Sequence, residues 1–381
     1  MMIKHLKVKN WRNFRELDVP LRERQFIVGA NASGKSNLLD IFRFLRDIVK
    51  AEGGGLQKAV KDRGGVSKIR CLAARQDPEI EIEIHLADSA ESPETWRYAI
   101  GIRQEPRGYR QTYLTHERVW KDGKQILNRP DADDKKDRQR LTQTFLEQIN
   151  VNADFRDIVH FLQDITYLHL VPQLLRFADS IQGRVVEDDP FGQGFLERIA
   201  TVPERMRHSR LQKIEQALKI AVPQLKQLKF IRDEITGRPH LQALYSHWRP
   251  NARLQEDQFS DGTLRLLGLL WSLLESNAVL LLEEPELSLN AGIVSQLAPF
   301  ISRISRRPQV FVSTHSDALL TEQGIDGGEV LLLTPAREGT AVKIVSDIDE
   351  VKTLLEAGFT VGEAVLPRTR PERAEKLSFF E

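Results

Sequence analysis

Apolar positions along this chain follow two different periods, and the changes between them divide it into elements. Ile3, Leu6 and Val8 sit among Lys and Asn before the turn-like Asn10-Trp11-Arg12-Asn13-Phe14, which predicts an edge strand over 3–14. A second strand over 25–28 precedes Leu38, Ile41, Phe42, Leu45, Ile48 and Val49, whose three-and-four spacing predicts a helix packed on one face. The Gly-rich, charged stretch 53–65 reads as a loop carrying a short helix at 56–61. Residues 80–86 alternate strictly, and strand-like pieces follow at 96–103, 109–114 and 118–120 between turn signals, so an antiparallel sheet is expected. From 141 to about 228 helical spacing dominates, as in Leu211, Ile214 and Leu218, without a sustained heptad. Apolar runs at 279–282 and 309–312 end abruptly in polar residues, the mark of buried parallel strands. The expectation is an α/β fold with an N-terminal lobe over 1–140, a compact helical insertion over 141–228 and a C-terminal lobe over 229–381.

Composition narrows the setting. The 381 residues are 41% hydrophobic and 29% charged, enough for one large or two ordinary cores and incompatible with disorder throughout. There is no apolar run long enough for a bilayer span and no signal-like N-terminus, so a soluble, cytoplasmic protein is expected. Cys71 is the only cysteine, which rules out intrachain disulfides and fits a reducing compartment. A net charge of +1 leaves any nucleic-acid surface to local clusters, for which Arg97, Arg103, Arg107 and Arg110, or Arg303, Arg306 and Arg307, are the candidates. The mixed run over 128–140 reads as a solvated loop, and Asp347 and Asp349 as a turn.

The chemistry begins at Gly29-Ala30-Asn31-Ala32-Ser33-Gly34-Lys35-Ser36, a complete G-x-x-x-x-G-K-S between a strand and a helix, continued by Asn37. Small residues let the backbone wrap a polyphosphate, so that N–H groups and the helix N-terminus meet its oxygens. Lys35 then reaches the β and γ phosphates, and the Ser36 hydroxyl takes a place on Mg²⁺. Downstream, the 279–282 run delivers Glu283 and Glu284 to a sheet edge, where one acid can hold Mg²⁺ and its neighbour can polarise water. His315 closes the second run and can stand at that same edge.

In this order the motifs resemble the ABC-type ATPases, specifically the RecF/SMC-like branch and the small stand-alone bacterial ATPases related to the OLD family. Gly29 to Ser36 matches Walker A, Ser260-Asp261-Gly262-Thr263 looks like the ABC signature, and Leu280 to Glu284 looks like Walker B. His315 resembles the switch histidine, 287–290 the D-loop, and Asn10 to Phe14 the opening of this branch, with Trp11 in place of Phe. Glu283 stands where ABC proteins usually carry Asp, as among the OLD-like relatives. The resemblance implies a P-loop ABC-type ATPase head using ATP and Mg²⁺. It places Arg12, Ser260, Asp261 and Gly262 at nucleotide, Gln76 as the Q-loop residue at the metal, and Glu284 and His315 in catalysis. Because the signature of such proteins faces a second subunit, it also implies a head-to-tail homodimer that closes on ATP. The expected role is a switch over a separately encoded effector, a nuclease foremost, in phage defence or DNA maintenance, with double-stranded DNA a possible partner. The alternative is an ATP-gated scaffold with little hydrolysis. The OLD proteins' Toprim nuclease is not expected, since 66 residues follow His315.

Overall fold

The computed structural model describes residues 1–74, 77–105, 110–176, 191–246, 253–275, 279–304 and 309–370. Strands β1 (Met2–Trp11) and β2 (Phe14–Pro20) form a hairpin, and β3 (Arg24–Gly29) leads into the helix Lys35–Val49. Strands β4 (Ile80–Ala87), β5 (Trp96–Gln104), β6 (Thr112–Lys121) and β7 (Lys124–Arg129) complete an antiparallel sheet of order β2-β1-β4-β5-β6-β7. Then come β8 (Ile165–Leu168), and β9 (Leu225–Arg232), β10 (Pro239–Tyr245) and β11 (Arg253–Gln255), the last three making a small sheet of order β11-β10-β9. Finally β12 (Val279–Glu283), β13 (Gln309–Thr314), β14 (Val330–Ala336) and β15 (Gly339–Ile344) join β3 and β8 in a second six-stranded sheet, β15-β14-β3-β13-β12-β8. In that sheet β14, β3, β13, β12 and β8 are mutually parallel and β15 runs antiparallel at the edge.

This second sheet separates two cores. β3 sends Ile27 to one side and Phe26 and Val28 to the other; β12 divides Leu281 from Leu280 and Leu282, and β13 divides Phe311 from Val310 and Val312. A strand buried on both faces has no solvent positions to show, hence the unbroken apolar runs. The first core lies toward the antiparallel sheet and holds the Lys35–Val49 helix, whose Phe42 meets Phe311 with ring centroids 4.7 Å apart. The second holds the Asp261–Leu274 helix, with Trp271 fully buried. Both phosphate-type loop and acids therefore leave the same C-terminal edge of one rigid sheet.

Several expectations need correction. β1 is not an edge strand, since β2 and β4 flank it; its lysines face outward instead. Of the expected pieces at 109–114 and 118–120, residues 112–114 and 118–120 belong to one continuous strand, β6, with register shifts opposite Gly101/Ile102 and beside Val119/Trp120. The 141–228 segment is not helical throughout, because β8 lies inside it and pairs with β12. The 128–140 run is not all solvated. Arg129, wholly buried, bonds Glu117 and Asp134, each at 2.9 Å, and lies 3.8 Å over the Phe145 ring. A buried charge must be paired and hydrogen-bonded, and here both partners come from beyond its own strand. Among the described residues no helix is long and apolar enough to cross a membrane.

Candidate nucleotide site

The site starts with two glycines that nothing else can replace. A Cβ on Gly29 would sit 2.5 Å from the Leu333 carbonyl oxygen of neighbouring β14, and one on Gly34 would sit 2.0 Å from Asn13 Nδ2. Gly34 also has a φ of +103°, a region that penalises side chains. Asn13, in the β1–β2 turn, donates to the Ser33 carbonyl at 2.9 Å and to Thr340 Oγ1 at 2.6 Å, and accepts from Asn37 Nδ2 at 2.7 Å. The loop is thus clamped from outside before any ligand arrives. Its amides at Asn31, Ala32 and Gly34 have no partner among the described residues, and no side chain caps the following helix. Unfilled donors at a helix N-terminus fit an anion. Lys35 Nζ stands 3.1 Å and 3.2 Å from the carbonyl oxygens of Gly29 and Ala30, inside the loop. Burial lowers its pKa, opposed by the charges of Glu284, Glu283 and Glu286.

Opposite the loop, the Ser36 hydroxyl donates to one oxygen of Glu283 and the Tyr167 hydroxyl to the other. Parallel pairing of β8 with β12 puts Tyr167 beside Leu281, so this contact follows from the sheet. His169 Nδ1 lies 3.3 Å from the Glu283 carbonyl oxygen. Glu284 sits just past the strand in a left-handed conformation, φ 45°, with its N–H donating to the Ser313 carbonyl at 3.0 Å. That strained turn aims its carboxylate along the sheet edge, where His315 Nε2 lies 3.5 Å away. Burial, then the Lys35 charge, lower the His315 pKa, so the imidazole is neutral at pH 7. Glu286 adds a third acid. It accepts from Thr314 Oγ1 at 2.5 Å and from the His315 N–H at 3.2 Å, while its other oxygen is buried with no partner among the described residues. Burial raises its pKa.

The remaining expected residues are dispersed. Arg12 turns its guanidinium onto the helix, bonding Asp40 at 2.8 Å, and Arg63 holds the same carboxylate at 2.9 Å. Arg12 also lines a cavity of about 830 Å³ next to the loop, with Asn13, Asn37, Arg70, Cys71 and Leu72. Ser260 caps the Asp261–Leu274 helix, accepting from the Thr263 N–H at 3.2 Å, and Asp261 pairs with Arg176 at 2.7 Å. Gly262 packs so closely on the 287–290 turn that a Cβ would come within 2.6 Å of the Ser288 carbonyl oxygen. Among the described residues, no hydrogen bond or ion pair joins 260–262 to 29–37. Gln76 lies outside the described residues. Sequence reasoning missed Asn13, Tyr167, His169 and Glu286. Asn13 lay inside a motif already quoted and Glu286 between the Walker B and D-loop segments, whereas Tyr167 and His169 belong to a segment that read as helical.

A family model described as "AAA domain, putative AbiEii toxin, Type IV TA system" matches residues 26–321, from the loop strand to just beyond His315. The chain belongs to this AAA-domain family. Among solved structures, this AAA-domain protein is similar to an Smc head bound to the C-winged helix domain of ScpA, at TM-score 0.55 and 16% identity over 90% of this chain and 97% of that one. A Pyrococcus furiosus Smc head with an extended coiled coil, bound to the C-terminal domain of ScpA, gives TM-score 0.52 and 14% identity over 93% and 99%. At such identities the likeness concerns the fold, which is that of an ABC-type P-loop ATPase head. No curated protein matches the sequence.

Proposed function

We propose that this AAA-domain protein binds ATP with Mg²⁺, hydrolyses it, and closes on it as a head-to-tail homodimer. The carrying observation is the convergence of Lys35, the Ser36–Glu283 contact and the Glu284–His315 pair at one sheet edge. A hydroxyl and a carboxylate side by side are hard oxygen donors suited to Mg²⁺, which when bound would neutralise charge on the β and γ phosphates. The 29–37 amides and Lys35 hold the polyphosphate, and Arg12 borders the cavity beside it. Glu284 takes a proton from a water whose oxygen bonds the γ-phosphorus, as the bond to the β–γ bridging oxygen breaks to leave ADP and phosphate. Neutral His315 steadies Glu284 and can bond a γ-phosphate oxygen.

Among the described residues Ser260 and Gly262 make no hydrogen bond to the 29–37 loop of their own chain, which supports their meeting a partner's γ-phosphate. The output is then a conformational switch over a separate cytoplasmic effector, for which a nuclease in phage defence or DNA maintenance is our reading. The family's description as a putative toxin supports a defence setting. The Smc heads' complexes with ScpA support a separate protein docking on this fold.

Mixing two inactive variants tests the composite site. Ser260→Arg should bind nucleotide yet fail to close, and combined one to one with Lys35→Ala should restore about a quarter of wild-type turnover, since mixed dimers keep one intact site. No restoration, with both proteins folded and associating, would place the site within one chain. ATP binding and closure without turnover in the wild type would make the protein the ATP-gated scaffold instead.

Glu286 gives a second expectation. Glu286→Ala removes the acceptor that ties β12 to the Thr314–His315 turn, so turnover should fall about 10–100-fold with ATP affinity little changed. Glu286→Gln keeps an acceptor oxygen and should recover much of the loss. Stopped-flow turnover beside equilibrium nucleotide titration separates the two effects, and an equal fall in affinity would reduce Glu286 to a packing role.

A further inference from the structure

We propose that Tyr167 is a positioning residue that leaves Glu283 a single oxygen for a metal ion and so makes the site prefer Mg²⁺ to Ca²⁺. The inference rests on the reading of Glu283 as a metal-holding acid. Its first support is the way the sheet delivers the tyrosine. β8 and β12 run parallel with Tyr167 opposite Leu281, and both side chains enter the first core. Side chains alternate along a strand, so Leu281 and Glu283, two positions apart, point to the same face. Tyr167 shares that face. Its hydroxyl donates to Glu283 Oε2, whereas Ser36 donates to Oε1, so two elements far apart in the chain each engage one oxygen of the carboxylate.

The second support is that both donors are held by one helix. Ser36, Asp40 and Arg43 stand at i, i+4 and i+7 of Lys35–Val49 and therefore lie along one face. Ser36 meets Glu283 directly. Arg43 instead lies 4.2 Å over the Tyr167 ring, which fixes the ring from its open face, and is itself 3.8 Å from Asp40. The helix that follows the phosphate loop thus reaches the same carboxylate twice, through Ser36 on one oxygen and through Arg43 and Tyr167 on the other.

The chemistry follows from the length of the acid. Glutamate has one more rotatable bond than the aspartate usual at this position, and freezing that bond costs conformational entropy. The Tyr167 hydroxyl fixes it in the fold itself. Ca²⁺ readily takes both oxygens of one carboxylate in a flexible shell, whereas Mg²⁺ requires a small octahedral one. With Oε2 engaged by Tyr167, the two-oxygen mode is closed and the one-oxygen mode is left.

The test uses the whole protein and a fluorescent β,γ-imido analogue of ATP, so that no turnover enters the readout. Affinity is measured with Mg²⁺, with Ca²⁺ and in EDTA. Wild type should prefer the Mg²⁺ complex. Tyr167→Phe should bind that complex about tenfold more weakly and lose about fivefold or more of the preference over Ca²⁺, with affinity in EDTA unchanged. Phe keeps the ring under Arg43, and a thermal melt checks the fold. Arg43→Gln, which leaves the hydroxyl but frees the ring, should shift the preference in the same direction by less. Glu283→Asp shortens the acid by one methylene, and in that background Tyr167→Phe should change little. No preference in wild type, an unaltered preference in Tyr167→Phe, or an equal shift in the Glu283→Asp background would overturn the proposal. Glu283→Gln separates the two levels. If it binds the Mg²⁺ complex as wild type does, the metal-holding reading falls and this proposal with it; if it binds weakly while Tyr167→Phe is unaltered, the role of Tyr167 falls alone.

Discussion

Lys35→Ala should lose ATP affinity by on the order of 10²–10³-fold, about 3–4 kcal/mol. The ammonium group is held within the loop by the carbonyl oxygens of Gly29 and Ala30, at 3.1 Å and 3.2 Å, where it is placed to leave those weak acceptors for phosphate oxygens. A charge-assisted bond in a partly desolvated loop is stronger than one between neutral groups, and alanine offers no replacement donor. The loop itself should survive. Its shape rests on the missing Cβ atoms of Gly29 and Gly34 and on the Asn13 clamp to Ser33 and Thr340, none of which needs the Lys35 side chain. A fluorescent-nucleotide titration alongside a thermal melt therefore reads binding without confusing it with unfolding. Affinity equal to wild type would refute the assignment of 29–36 as the phosphate loop.

Glu284→Gln should reduce turnover about 10²–10⁴-fold while ATP still binds, and the ATP-bound dimer should accumulate. Gln preserves size but cannot accept the water's proton. The contacts proposed to hold phosphate and metal, at Lys35 and between Ser36 and Glu283, lie on other side chains and stay in place. The Glu284 backbone, fixed at φ 45° by its N–H bond to Ser313, gives the substituted side chain the same aim toward His315. Single-turnover kinetics with size-exclusion light scattering would show both effects. If Glu283→Gln stops turnover with Mg²⁺ dependence intact while Glu284→Gln does little, the two acids hold each other's roles.

Much of this site was legible in the chain because its parts are local. A loop that must avoid every Cβ at two positions and present amides to an anion needs Gly at both ends, and the following helix must show one apolar face; eight residues and one spacing carry that information. Likewise an apolar run ending in acids can only be a strand buried on both faces that surfaces at its C-terminal end, as β12 does.

What the chain alone left undecided depends on pairing between distant segments. Four residues at 165–168 carry too short a pattern to tell strand from helix, and only their alignment with β12 makes them β8 and brings Tyr167 to Glu283. A charge run gives no sign of which member turns inward, so Arg129 waited for Glu117 on the adjacent strand and Asp134 beyond the turn. Arg97 and Arg103 of the antiparallel sheet look free in one dimension and are paired with Glu94, Asp77 and Glu79 in three. Arg107, Arg306 and Arg307 lie outside the described residues. Sequence by itself determined the phosphate loop, the strand that carries the acids and the α/β class, because hydrophobic period and backbone sterics act over a few residues. Tertiary structure decided which side chains share a charge or a proton, because those interactions fall off within a few ångströms and join residues a hundred or more positions apart.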